Sequence, residues 1–341
     1  MAQRAFLLGG TGKTGRVLAP QLVEHGWDVQ IGSRGEQAPL DGIEHVRVDR
    51  SDTDAMRAAV GGGVDALVDF VAFEPDDAEQ LLSLRDLVRS LVVVSSGAVY
   101  ADREGRSLDQ VREGEVVEFP VPIPERHRTV ALGHDTYASK KAAIERKLLE
   151  QDAVPATLVR PGAIYGPGDT ASREWHFVKR ALDGRRVVIL AHRGASRFHP
   201  VSVHNLAELL RLAVERPGTR ALNAGDPDPP TLLEIGRVIA RALGHEWTEV
   251  LLEGPPADEA VGGNPWGVPR PWVLDMNEAE LQLRYRPLTT YEKAVPETVE
   301  WLVEATRERD WREVLPRAAE VYDKYFDYAA EDEFLRSLTG D

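Results

Sequence analysis

Short runs rich in valine, leucine and isoleucine alternate with helix-like stretches through the first 160 residues, and this alternation constrains the fold more than any other feature of the chain. The runs are RAFLLGG, DVQIGS, HVRVD, DALVDFVA, SLVVVSS and ATLVRPG. Helices are predicted between them at 14–25, 53–60, 77–89 and 137–151. Strands apolar on both faces need cover on both faces, so the pattern predicts βαβ units and a doubly wound parallel sheet, an α/β fold. Pro20 falls inside the first predicted helix, where a proline removes a hydrogen bond. Beyond Gly162 the pattern loosens. Residues 166–200 carry no clear period, 203–216 and 232–243 read as amphipathic helices, and ALNAGD between them reads as a short strand. The stretch 254–272 holds five prolines, four glycines and two tryptophans and reads as a long ordered loop. The tail from 295 to 338 is predicted helical, with Trp301, Trp311, Tyr322, Tyr325, Phe326 and Phe334 as packing residues.

The first strand-to-helix turn is GGTGKTG. It fits G-x-G-x-x-G through Gly10, Gly12 and Gly15, and G-x-x-G-x-x-G through Gly9, Gly12 and Gly15. Glycine costs roughly 0.5–1 kcal/mol relative to alanine in regular structure, so four within seven positions need a reason. In a dinucleotide site one glycine makes the turn, one lets a pyrophosphate approach the backbone, and one lets helix and strand pack closely. The helix N-terminus then offers N–H groups to the phosphates. The cofactor-binding set of this turn is Gly9, Gly10, Thr11, Gly12, Lys13, Thr14 and Gly15. The second strand ends IGSRG. An acidic residue there suits the ribose of NAD, whereas arginine suits the 2′-phosphate of NADP. Ser33 and Arg34 therefore favour NADP, with NAD as the alternative if Glu36 reaches the ribose and Arg34 is a solvated surface residue. Asp49 and Asp52, in VDRSD after the third strand, frame the adenine or cap a helix.

Tyr137 and Lys141 lie four apart at a predicted helix start, in YASKK, and so share a helix face. A free tyrosine titrates near pH 10, too high for a base at neutrality. A neighbouring ammonium favours the phenolate, and the pair can then move a proton to or from a substrate oxygen. A serine hydroxyl can hold the same oxygen.

The formal net charge of −15 argues against a nucleic-acid partner. With no cysteine the chain has no disulfide, thiolate nucleophile or thiolate metal site. Nine histidines are scattered without a ligand motif, so no metal is expected, and His199 and His204 read as structural rather than pocket-lining. There is no run of eighteen apolar residues and no signal-peptide pattern at the start, so a cytoplasmic protein without a membrane partner is expected.

With these segments in hand, the chain resembles the extended short-chain dehydrogenase/reductase family, which contains nucleotide-sugar epimerases and dehydratases. The resemblance rests, in family order, on GGTGKTG, DFVAF, SSGAVY, YASKK, RPGAIYGPGD, FHPVSVHNLAELL and ALNAGDPDPPTLLEIGRVIARALG, across most of residues 5–245. YEKAVPETVEWL is similar to the family's final helix, and the tail after Ala305 is extra. The resemblance implies a catalytic Ser96, Tyr137 and Lys141, with Lys141 also on the nicotinamide ribose. It implies that Asp49 and Arg50, Phe70, Val71 and Ala72, and Pro161, Gly162, Ala163 and Ile164 lie along the cofactor. It implies a Rossmann domain of residues 1–165 with roughly 201–225, a smaller substrate domain of 166–200 and 226–341, and a homodimer. Two departures concern the substrate. Ala163 stands where sugar-nucleotide enzymes carry asparagine, and Arg197 is one place out of register with their diphosphate-binding arginine, with His204 and Asn205 at a paired-aspartate position.

The reading that follows is an NADP-preferring oxidoreductase acting on a small-molecule secondary alcohol or ketone. The alternatives are a nucleotide-sugar epimerase or dehydratase that retains its cofactor, and a non-catalytic cofactor-sensing or RNA-binding regulator on the same scaffold.

Overall fold

The computed structural model describes residues 2–110 and 116–339. In chain order the elements are β1 (Arg4–Leu8), α1 (Gly15–Glu24), β2 (Asp28–Ser33), β3 (Glu44–Arg47), α2 (Thr53–Val60), β4 (Ala66–Asp69), α3 (Asp76–Ser83), β5 (Leu91–Val94), α4 (Tyr137–Leu149), β6 (Ala156–Pro161), β7 (Ala163–Tyr165), α5 (Trp175–Leu182), β8 (Val187–Leu190), β9 (Pro200–Ser202), α6 (Val203–Glu215), β10 (Arg220–Ala224), α7 (Leu232–Leu243), β11 (Thr248–Leu251), α8 (Asn277–Leu283), α9 (Tyr291–Thr306), α10 (Trp311–Val314), α11 (Pro316–Tyr322) and α12 (Tyr328–Thr339). Short 3₁₀ turns join several of them. Among the described residues no helix is long and apolar enough to cross a membrane.

Two compact units result. The first is Met1–Ile164, Val203–Gly225 and Leu274–Leu288; the second is Tyr165–Ser202, Asp226–Val273 and Thr289–Asp341. The segment 274–288 belongs with the first unit, whereas the sequence reading assigns it to the second domain. Two buried amides hold it there: Asn223 Nδ2 donates to the Asp275 carbonyl at 3.0 Å, and Asn205 Oδ1 accepts the Leu288 N–H at 2.7 Å.

The first unit is a seven-stranded sheet of order β10-β6-β5-β4-β1-β2-β3, parallel at every pairing, the Rossmann-type arrangement. The central strands β4, β5 and β6 are buried along their whole length, as strands covered on both faces must be. On one face Phe6, Leu67, Val93 and Leu158 meet Met56, Val60, Leu81, Ile144 and Leu148 from α2, α3 and α4. Each such buried side chain contributes about 1.5–3 kcal/mol. Local signals start the helices. Asp52 caps α2 by accepting the Ala55 N–H at 2.9 Å, and Thr136 with Ser139 forms a capping box on α4. Pro20 sits inside α1, with Pro20 and Arg16 both on the exposed side, so the carbonyl that loses its partner faces water. α3 stops at Ser83, short of the predicted Arg89, because Val88 is already bridged to Val64 beside the sheet.

In the second unit β8 pairs with β11 in parallel, and α7 is bounded by a Thr231–Glu234 capping box and a left-handed Gly244. The proline-rich stretch is ordered by its tryptophans. Trp272 bridges to Phe198, stacks on its ring at 4.9 Å, and is buried, as is Trp266. The tail closes on α5. Trp311 packs on Trp175 with ring centroids 5.7 Å apart, and Glu331 of α12 meets the buried Arg180 at 2.5 Å.

Candidate functional site

The sheet order reverses between β1 and β4, and in open α/β sheets the crevice beyond the carboxyl ends of such a strand pair takes the ligand. The glycine turn leaves β1 there and Phe70–Ala72 leaves β4. Three of the four glycines are required by the chain itself. Gly9 has φ +79°, and a Cβ on it would lie 2.7 Å from Val71 Cγ1. A Cβ on Gly10 would meet Leu7 at 2.9 Å, and one on Gly15 would lie 2.3 Å from the Gly10 carbonyl oxygen. Gly12 differs. Its φ is not in the left-handed region, and the nearest atom to its Cβ position is the Gly9 carbonyl oxygen at an ordinary 3.4 Å. The bare edge at Gly12 is therefore a cradle that a side chain would fill, facing the start of α1. That helix has no side-chain cap and no acidic residue in its first turn, which suits an anion. These residues fit a dinucleotide pyrophosphate. Lys13 reaches across the sheet end, its Nζ donating to the Ile164 carbonyl at 3.1 Å, and Gly162 N–H donates to the Ala224 carbonyl at 2.9 Å. Lys13, Gly162 and Ile164 thus lie along the same edge as the turn.

At the end of β2, Arg34 pairs with Glu36 at 3.1 Å, both side chains well solvated. Ser33 Oγ accepts the Gly35 N–H at 3.2 Å and lies 2.7 Å from His45 Nε2, a neighbour on β3 absent from the sequence reading. Asp49 accepts the N–H and hydroxyl of Ser51 at 2.9 and 2.8 Å, which holds its carboxyl below the usual range, with Arg34 adding to the effect. Asp52 is a helix cap. Arg50 turns inward, bonding Asp69 at 2.8 Å and Asp77 at 3.0 Å, and its guanidinium is committed to these carboxylates. Asp69 is fully buried. Burial pushes its carboxyl up, opposed by Arg50 and by the Val71 N–H that it accepts at 2.7 Å. That last bond turns the chain at Phe70–Ala72.

Tyr137 is the first residue of α4 and is 44% exposed, whereas Lys141, one turn on, is 2% exposed. The Lys141 ammonium donates to the Ala72 carbonyl at 2.6 Å and the Val94 carbonyl at 2.9 Å, and lies 5.7 Å from the Tyr137 ring centroid. The structure therefore brings Tyr137, Lys141 and Ala72 together with the end of β5. Ser96, two residues past β5, caps the turn Gly97–Val99 by accepting the Ala98 N–H at 3.1 Å. Ser95, passed over in the sequence, is buried with no hydrogen-bond partner for its hydroxyl among the described residues. Behind α4 stands a buried ion pair that the sequence reading also missed. Arg160 of β6 grips Glu145 of α4 at 2.6 Å, and its Nη1 donates to the Tyr100 hydroxyl at 3.1 Å. Tyr100 in turn donates to Asn223 Oδ1 at 2.6 Å; burial pushes this phenol up to about 12, so it stays a donor. The signal is the one charged residue in the run ATLVRPG.

Burial pulls Lys141 down from 10.5 to about 8, against the pull of Asp69, Glu145 and Asp77. Below pH 8 the lysine is charged both folded and unfolded, and its desolvation weighs fully on the folded state, about 3 kcal/mol from the size of the shift. Between 8 and 10.5 the folded state sheds the proton first, so stability rises with pH; above that window the effect is gone. Urea unfolding is expected to show wild type gaining on Lys141→Met between pH 7.5 and about pH 10. A gap that does not change with pH would show that the ammonium is hydrated.

In the second unit His199 is buried. Its Nε2 bonds the Asp226 carbonyl at 2.7 Å, and burial lowers it to about 4, which keeps it neutral. Asp226 also accepts the Tyr165 hydroxyl at 2.6 Å. Arg197 bonds the Pro229 carbonyl, and Arg173 lies over Phe198 and Trp266 at 4.9 and 5.6 Å.

Comparison with known proteins shows the family and the fold. The family model described as the NAD dependent epimerase/dehydratase family matches residues 5–225. A curated relative, 4-hydroxy-2-methyl-3-oxo-4-farnesyl-3,4-dihydroquinoline-1-oxide ketoreductase of Stigmatella aurantiaca, is 28% identical over 265 residues, 71% of this chain and 73% of that protein. Two solved structures share the fold. UDP-N-acetylglucosamine 4-epimerase from Bacillus cereus is 17% identical with a TM-score of 0.68, covering 89% of this chain and 100% of that one. dTDP-glucose 4,6-dehydratase from Bacillus anthracis str. Ames, in complex with NAD, is 16% identical with a TM-score of 0.65, covering 90% and 99%. With residues 5–225 matched by that family model, the chain belongs to the NAD dependent epimerase/dehydratase family and is an enzyme of that kind.

Proposed function

We propose that the protein is an NADP-preferring oxidoreductase that interconverts a secondary alcohol and a ketone, with net turnover of cofactor. The observation that carries this reading is the buried Lys141 ammonium beneath the exposed Tyr137 at the mouth of β5. A nicotinamide cofactor, when bound, would supply or accept the hydride. Tyr137 gives its phenolic proton to the substrate oxygen, or takes it in the reverse direction, and Lys141 favours the phenolate. Ser96 holds the same oxygen by a hydrogen bond. Phe70–Ala72 and Pro161–Ile164 flank the cofactor. The ketoreductase activity in the name of the curated relative supports net redox chemistry. So do Ala163 and the diversion of Arg197 to a backbone carbonyl, which weaken a diphosphate-sugar substrate. A second reading, isomerisation or dehydration with the cofactor retained, is favoured by the family description. Added cofactor consumed mole for mole with a ketone supports the first reading; product formed with no net consumption supports the second.

The NADP preference rests on Arg34. Its surface pair with Glu36 is worth at most about 1 kcal/mol, so the guanidinium is available to a phosphate. Charge-assisted hydrogen bonds of ~1.5–3 kcal/mol are at stake, roughly ten- to a hundredfold in affinity. Arg34→Asp is expected to weaken NADP by at least that factor and NAD far less, by titration of both. Equal losses for the two cofactors would refute the assignment.

A further inference from the structure

We propose that His45 governs the cofactor preference by controlling the single proton of Ser33, so that binding of the 2′-phosphorylated cofactor draws a proton onto the imidazole. The inference rests on the NADP reading above and adds a residue and a mechanism to it.

Ser33 closes β2 and His45 lies on β3, in a register that sets Ile31 opposite His45 and Ser33 opposite Arg47. Ser33 Oγ accepts the Gly35 N–H at 3.2 Å, which uses one lone pair, and touches His45 Nε2 at 2.7 Å. A serine hydroxyl has one proton and two lone pairs, and a neutral imidazole has one donor and one acceptor nitrogen. When Nε2 is the acceptor, the serine proton is spent on His45 and Ser33 has no proton for a phosphate. When Nε2 carries hydrogen, Ser33 Oγ accepts from both Gly35 and His45, and its own proton is free to donate to a phosphate oxygen.

Two forms of His45 provide that hydrogen, the Nε2–H tautomer and the imidazolium. A phosphate monoester carries about −1.5 to −2 charges near neutrality, and an anion of that charge favours the imidazolium. The proton comes from solvent and rests on His45; no bond in the cofactor changes. The charged groups around the turn are Arg34 and Glu36 after β2, Glu44 and Arg47 on β3, and Asp49 beyond it. A phosphate bound beside Ser33 adds negative charge to this set and so favours the imidazolium. NAD has a hydroxyl in the same place and makes no such demand.

The test is calorimetric titration of the full chain with NADP and with NAD, in buffers of different ionisation enthalpy at one pH near neutrality. The buffer dependence counts protons. NADP is expected to bind with net proton uptake relative to NAD. A phosphate titrating by itself against a cationic site would release protons, the opposite sign. In His45→Gln, whose amide donates but does not titrate, the uptake is expected to vanish and NADP affinity to fall about five- to tenfold, with NAD unchanged. Ser33→Ala is expected to weaken NADP alone by a similar factor while His45 stays in place. The outcomes separate. If wild type and Arg34→Asp bind the two cofactors alike, the NADP reading is wrong. If NADP is preferred through Arg34 but His45→Gln keeps the same proton count and affinity, the His45 mechanism is overturned and the NADP reading stands.

Discussion

Tyr137→Phe is expected to lower turnover by ~10²–10⁴, the usual cost of losing a positioned proton donor, while cofactor affinity is retained. The phenyl ring keeps the helix start, the Thr136 cap and the packing of α4, so only the hydroxyl is removed. Lys141→Ala differs in kind. It deletes an ammonium that ties the Ala72 and Val94 carbonyls together, so chemistry and cofactor binding are both expected to suffer. Single-turnover rates with a matched cofactor titration check the pair. A Tyr137→Phe protein that turns over normally would remove Tyr137 from the chemistry.

The second large effect concerns stability. Arg180 is buried on α5, and its guanidinium meets Glu331 at 2.5 Å and the Tyr325 carbonyl at 2.7 Å. Glu331→Ala leaves that cation buried and uncompensated, and a broken buried pair costs about 3–5 kcal/mol. Arg185 is affected less, because Asp332 holds it independently at 2.7 Å. Urea unfolding of Glu331→Ala is expected to show that loss, and the double variant Arg180→Met with Glu331→Leu to recover most of it, since an apolar pair avoids desolvation. A loss under about 1 kcal/mol would mean that the pair behaves as a solvated one. Truncation after Ala305 removes Trp311 and Glu331 together and is expected to expose apolar surface and promote aggregation.

The same arginine shows where the sequence becomes hard to read. The strands and helices of the first 160 residues are legible because each solves its burial locally, with an apolar run between turn residues, whereas α8, in the later segment that joins the same unit, is not. α5 went unassigned because its buried face includes His176 and Arg180, polar residues that break the apolar period. Their burial makes sense only with α12 in place, 151 residues away in the case of Glu331. β8 and β11 are short strands whose partner is each other, across more than fifty residues. At the candidate site, the four-residue spacing of Tyr137 and Lys141 and the spacing of the glycines carry their own meaning. The acceptors of Lys141 are backbone carbonyls, which no side-chain pattern encodes. The Ser33–His45 contact depends on register across a parallel crossover, which local pattern does not specify.

The sheet order has a consequence for the nascent chain. Strand β10 borders β6 but is made about sixty residues after it, with parts of the second unit translated in between. At synthesis rates of about 5–20 residues per second, β6 waits roughly 3–12 seconds on the ribosome with one edge unpaired, in a strand that the finished fold buries along its whole length. Such an edge is a template for pairing with another chain. Crowded polysomes are therefore where this protein is most exposed to misassembly, and chaperone capacity during translation, rather than stability of the finished fold, is expected to limit its yield.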